Sequence, residues 1–247
     1  MRPDQWLDKL RPEFFTQELE EEFAAYAMEQ YPNEACAYVL DGLLVPVVNV
    51  STNSKEEFEL GFEDALIMSE ADGFLHSHPD GNLWPSGADM QAQIHWQKPF
   101  GIVTCTEDSC SKSLWWGDHT LSLPLNERPF IHGVLDCYAL IRAEKYQRDG
   151  IILPDYARDF EWWERDRGEN VQNLYEENFR NAGYEVVTDG LKQGDIIFMK
   201  IHTDVVSHAA IYTENGLILH HLRDRFSREE HASSWKKFNE KVVRYKD

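Results

Sequence analysis

The stretch from Gly117 to Pro129 divides this chain more sharply than any other feature. Pro124, Asn126, Glu127 and Pro129 fall in it, and neither helical nor strand periodicity runs through it. A chain of 247 residues exceeds the size at which domains cluster, roughly 100–150 residues. The break therefore predicts two compact domains, residues 1–118 and 131–247, joined by a linker over 119–130. With 42% hydrophobic and 13% aromatic residues, a core can form on each side, which excludes a largely disordered chain.

Before the break, Thr16 and the glutamates behind it look like a capped helix start, with Leu19, Phe23, Tyr26 and Ala27 on one stripe; a helix over 16–31 follows, ended by Pro32. Ala37–Leu40 and Leu44–Val50 read as strands around an Asp41-Gly42 turn. Helices over 63–71 and 86–97 alternate with strands over 73–78 and 101–106. After the break, Asp136–Arg148 is a helix and 159–182 is helical in part. Strands follow over 195–201, 205–212 and 217–221. This order predicts an α+β protein. Each adjacent tryptophan pair, Trp115-Trp116 and Trp162-Trp163, should place at least one ring in a core. His95, His119 and His231 have no partners at ligand spacing and read as surface or capping residues.

Acidic side chains outnumber basic ones by 44 to 24, for a formal charge of −20, and that field repels phosphate backbones. Nucleic acid is excluded as an expected partner. Charged residues run through Met1–Leu10 and no apolar run approaches the ~18 residues of a membrane span, so neither a leader nor a span is expected and the chain belongs in cytoplasm. Cys36, Cys105, Cys110 and Cys137 are too few for a disulfide scaffold and read as reduced thiols.

The segment from His76 to Asp89 fits H-x-H-x7-S-x-x-D. Two histidines at i and i+2 on a strand share a face, so both imidazoles can reach one ion. Asp89, in the first turn of the next helix, adds a carboxylate oxygen. Three protein ligands leave one tetrahedral position open, the arrangement of a catalytic rather than a structural zinc. A nearby acid must serve as base, for which Glu34 is the candidate, while Ser86 would donate to an oxyanion. Ser86-x-x-Asp89 taken alone is a helix capping pattern; four fixed residue types at fixed spacing outweigh that reading.

The segment resembles the JAMM (Mov34/MPN/JAB) metalloprotease family, which has the same motif with an upstream glutamate; Pro32-Asn33-Glu34-Ala35-Cys36 resembles the stretch that carries it. The likeness covers roughly residues 10–118. It implies a deaminase-like α/β fold and peptidase or isopeptidase activity.

Asp136-Cys137 opens a helix, where the dipole and free N–H groups stabilise a thiolate. A nucleophilic cysteine requires a histidine, and His208 stands on a late strand; His220 or His221 can orient it from the next strand. A two-residue Asn215-Gly216 loop pairs Ala210 with His221 and puts His221 on the face of His208. A three-residue loop, Glu214-Asn215-Gly216, pairs Ala210 with His220 instead. Both registers are open.

Asp136-Cys137, Gly194-Asp195-Ile196-Ile197-Phe198 and the run from His208 to His220 resemble the NlpC/P60 family of papain-like cysteine peptidases, whose spacing of twelve selects His220. Many members carry a tyrosine twelve residues before the cysteine, where this chain has Leu125. The two modules in this order, with Pro129 to Tyr138, resemble the tail assembly protein K family of lambda-like bacteriophages over almost the whole chain. That resemblance implies two peptidase centres, other tail-tip proteins as partners, a peptide or peptidoglycan substrate, and a place in the host cytoplasm during assembly or at the virion tail tip. A structural tail-tip component with one or both centres inactive is the competing expectation, and a cell-wall hydrolase alone is another.

Overall fold

The computed structural model describes residues 4–164 and 171–246. The chain falls into two compact units, Met1–Thr120 and Leu121–Asp247.

In the first unit α1 (Asp4–Leu10) and α2 (Gln17–Gln30) precede β1 (Cys36–Leu40) and β2 (Leu43–Val47); α3 (Phe62–Met68), β3 (Gly73–Pro79), α4 (Gly87–Trp96), β4 (Phe100–Cys105) and β5 (Leu114–Trp116) follow. Thr16 caps α2 by accepting the Leu19 N–H at 3.3 Å. Leu19, Phe23 and Ala27 are then buried at helical spacing and meet Ala37, Val39, Leu75 and Val103 of the sheet. The β1–β2 hairpin turns on Asp41 and Gly42, both at positive φ, with Leu40 paired to Leu43. The sheet runs β2-β1-β3-β4-β5. Only β3 and β4 are parallel, with α4 as their crossover. Pro46 is tolerated because β2 is an edge strand.

Three expectations change here. The strand expected to reach Val50 ends at Val47, and beyond it Asn49 makes a lone bridge to Leu60. The helix expected over 63–71 stops at Met68. Cys105 and Cys110 are not reduced thiols: they form a disulfide, because Cys105 at the end of β4 faces Cys110 across an antiparallel bridge with Cα atoms 4.2 Å apart. Cys36 and Cys137 are free.

The second unit contains α5 (Cys137–Asp149), α6 (Leu174–Asn178), β6 (Tyr184–Val186), β7 (Ile196–Met199), β8 (His208–Tyr212), β9 (Leu217–His220), β10 (Arg228–His231), α7 (Ala232–Trp235) and β11 (Asn239–Tyr245). Its antiparallel sheet runs β10-β9-β8-β7-β11-β6. Leu140 and Ile141 of α5 pack on Phe198, Ala209, Ile211 and Val243 from one sheet face. Residues 121–130 are bonded into this unit: buried Arg128 donates from Nε to Pro124 O and from its backbone N–H to Ser227 Oγ. The strands expected over 195–201 and 205–212 shorten, since His202 between them takes a positive φ. Of the stretch expected to be helical in part, α6 is the helix, and residues 165–170 lie outside the described residues. Trp115, Trp116 and Trp162 are buried. Among the described residues no helix is long and apolar enough to cross a membrane.

Candidate functional site

The first unit brings His76, His78 and Asp89 together, with one potential ligand atom from each within 4.8 Å of the others. Strand alternation puts both imidazoles on one face of β3, and their Nε2 atoms lie 3.0 Å apart. Asp89 Oδ1 is 3.3 Å from His76 Nε2, and its Oδ2 is 3.4 Å from His78 Nε2. The cap of α4 sets that carboxylate: Ser86 Oγ accepts the Asp89 N–H at 3.1 Å and Asp89 Oδ2 accepts the Ser86 N–H at 2.7 Å. The cap that fixes Asp89 thus also turns its carboxylate toward the two imidazoles. Burial pushes the Asp89 carboxyl up, yet the two imidazoles outweigh it and hold the group well below the usual carboxylate range.

This donor set fits a zinc ion. Two imidazole nitrogens at 3.0 Å facing one carboxylate are crowded lone pairs unless a cation or a proton lies among them. His78 Nδ1 bonds the Asn82 carbonyl at 2.9 Å, which leaves Nε2 as the nitrogen that could meet an ion. His76 is held by ring packing on Phe58 and Phe74 instead, and its Nδ1 has no hydrogen-bond partner among the described residues.

Glu34 is buried beside this cluster. What delivers it there is Ser77, a residue the sequence reading passed over. Ser77 Oγ accepts the Ala35 N–H at 2.9 Å, and the pairing of Cys36 with His76 continues the register. Burial raises the Glu34 carboxyl above its ordinary range against the opposing pull of His76 and His78. Ser86 is exposed at the rim, its oxygen engaged by the cap and its own proton free to be donated.

In the second unit Cys137 is the first residue of α5, with Asp136 as the N-cap. The helix N-terminus does not activate the thiol as expected. Asp136 Oδ1 takes the Tyr138 and Ala139 N–H groups, and its charge stands next to the sulfur. Burial first, then Asp136, push the thiol up to about 11. Opposing them, Tyr175 Oη donates to Sγ at 3.1 Å and the Ala209 backbone N–H reaches the sulfur as well. The second contact seats the thiol on β8 at the residue next to His208.

His208 Nε2 lies 3.2 Å from His220 Nδ1. The register decides between the two histidines: Ala210 pairs with His220, so the loop is the three-residue one. His221 is instead buried edge-on to Phe130, 5.3 Å between ring centroids. Burial, with His220 and His221 nearby, lowers the His208 imidazole well below its ordinary value, so thiol and imidazole are both neutral at pH 7.

Three further groups escaped the sequence reading. Arg158, buried, donates from Nε to Asp136 Oδ2 at 2.7 Å and holds that carboxyl down at about 2. Tyr175 supplies a phenol to the sulfur, whereas Leu125 packs into the core. Glu230 lies 3.5 Å from His220 Nε2. None stands at a motif spacing from Cys137; the D-C dipeptide was the only local signal for Arg158, as a buried carboxylate requires a cation.

The NlpC/P60 family matches residues 116–244. Tail tip assembly protein K of Escherichia phage N15 is 32% identical over 231 residues, covering 90% of this chain and 92% of that protein. Tail tip assembly protein K of Escherichia phage lambda is 33% identical over 187 residues, covering 74% and 85%. An NLP/P60 family protein of Staphylococcus aureus is similar in structure, with 21% identity, a TM-score of 0.35, and 53% of this chain and 43% of that one covered. The family match and the two phage relatives lead to one assignment: the chain belongs to the NlpC/P60 family and to the phage tail tip assembly protein K family.

Proposed function

We propose that the second unit is a thiol hydrolase of amide bonds, serving tail-tip assembly by cleaving peptidoglycan peptides or a tail protein. One observation carries this reading: the Cys137 sulfur lies against Ala209 while the neighbouring His208 is bonded to His220 at 3.2 Å. Cys137 Sγ attacks the carbonyl carbon as its proton passes to His208; His208 returns that proton to the leaving nitrogen, and water then releases the acyl group. A neutral resting pair suits this order, since His208 then acts as a general base rather than as a standing imidazolium. Other tail-tip proteins are the expected partners, met in the host cytoplasm and at the virion tail tip.

For the first unit we propose a zinc peptidase or isopeptidase centre of JAMM type. His76, His78 and Asp89 would hold the ion, which would supply Lewis acidity there. Glu34, whose carboxyl burial raises above its ordinary value, takes a proton and passes it on. The Ser86 hydroxyl donates to an oxyanion.

Purified full-length chain, Cys137→Ala and His78→Ala are incubated with peptidoglycan and with tail-tip proteins, and products are read by mass spectrometry. Cys137→Ala should lose one cleavage and keep the other, and His78→Ala should do the reverse. Loss of a single shared activity in both variants would overturn the two-centre reading. A wild-type chain that cleaves nothing would leave a structural tail-tip role.

A further inference from the structure

We propose that Glu230 is a positioning residue of the Cys137 centre, fixing a proton on His220 Nε2 and, through His220, setting which nitrogen of His208 carries its proton. The inference rests on Cys137 as the nucleophile. Nothing in the family motif points to this residue, which lies ten positions beyond His220 on β10.

Glu230 is itself tightly held. Its Oε2 accepts the Trp235 Nε1–H at 2.7 Å and its Oε1 accepts the Arg228 Nε–H at 2.6 Å. The Trp235 ring stands edge-on to the His220 ring at 4.7 Å, so the same side chain steers both groups. Oε2 is then 3.5 Å from His220 Nε2, at the outer edge of hydrogen-bond range. Two cation or indole donors keep this carboxylate ionised: burial pushes it up, but Trp235 and Arg228 bring it below its ordinary value.

An ionised carboxylate only accepts, so the nitrogen facing it carries the proton. His220, neutral because burial lowers its imidazole, must then be the Nε2–H form with Nδ1 as acceptor. Nδ1 faces His208 Nε2 at 3.2 Å, which places the His208 proton on Nε2 and leaves Nδ1 unprotonated. That is the form of His208 able to take a proton from a thiol. Once His208 is an imidazolium, its partner on the side away from the thiol is His220, a neutral ring that brings no charge of its own. The charged groups facing His220 are Glu230, Arg228 and Arg225. Glu230 is the one negative charge among them, and it compensates a cation that burial otherwise disfavours.

The test uses the full chain and follows alkylation of Cys137 by iodoacetamide across pH, read by mass spectrometry; Cys36 is buried and the other two cysteines are paired. Glu230→Gln preserves shape but removes the charge and admits the opposite proton arrangement. The expected result is an unchanged thermal midpoint with the onset of alkylation moved up by about one pH unit, roughly tenfold in rate at fixed pH. An unmoved profile overturns the proposal. If Glu230→Gln does not fold, nitrogen-15 NMR of the wild-type histidines decides: Nε2–H on both His208 and His220 is expected, and Nδ1–H on His220 overturns it. Failure of the hydrolase reading is separate, since it shows as absence of substrate cleavage while the two histidines keep the expected protons.

Discussion

The Tyr175 hydroxyl donates to the Cys137 sulfur at 3.1 Å, from a helix that follows the cysteine by more than thirty residues. This phenol is a stabiliser of the thiolate, in opposition to burial and to Asp136. Hydrogen bonds to charged groups contribute about 1.5–3 kcal/mol. Tyr175→Phe should therefore slow Cys137 alkylation at pH 7 by about tenfold or more and shift its pH profile upward. Equal rates in the two proteins would remove Tyr175 from the centre.

Asp89 completes the cap of α4 and is the carboxylate proposed to bind zinc, and two substitutions part these roles. Asp89→Asn keeps an acceptor for the Ser86 N–H and preserves the cap, while Asp89→Ala loses that half of it at a cost of about 1 kcal/mol. Both should abolish zinc uptake, measured by emission spectroscopy after dialysis against non-chelating buffer. Only the alanine variant should also unfold at lower urea. Retained zinc in Asp89→Asn would exclude the carboxylate as a ligand.

Linking Cys105 to Cys110 closes a loop with a sequence separation of 5. Chain-entropy arithmetic gives about 2 kcal/mol for so short a loop. Reduction of the Cys137→Ala protein should lower the stability of the first unit by that order, read by tryptophan fluorescence in urea. A Cys105→Ser variant should be insensitive to reductant.

His221 makes acid stability testable. Burial depresses its imidazole to about 4, against an ordinary value of 6.5. A group whose folded value is depressed binds its proton in the unfolded chain first, so its contribution is complete above pH 6.5 and declines as pH falls toward 4. The loss amounts to about 3 kcal/mol over that window. His221→Gln should flatten that part of the stability profile, measured by urea midpoints at successive pH. An unchanged slope would show that His221 is not held neutral.

Local chemistry was legible in the sequence wherever it depends on a short repeat. His76 and His78 share a face because strands alternate, Asp89 reaches them because a serine caps the next helix, and Cys137 opens α5 because Asp136 caps it. The tertiary structure decided whatever depends on strands meeting. Pairing of Ala210 with His220 chose which histidine faces His208, between two neighbours that the sequence left equal. The β1–β3 register and Ser77 carried Glu34 to His76, His78 and Asp89, and a bridge at the end of β4 turned two expected thiols into a disulfide. Tyr175, Arg158 and Glu230 came to the cysteine centre from separate elements at no fixed spacing. The physical reason is one of range: the periods of helix and strand fix neighbours within a turn or two, while register and packing are settled by the core as a whole.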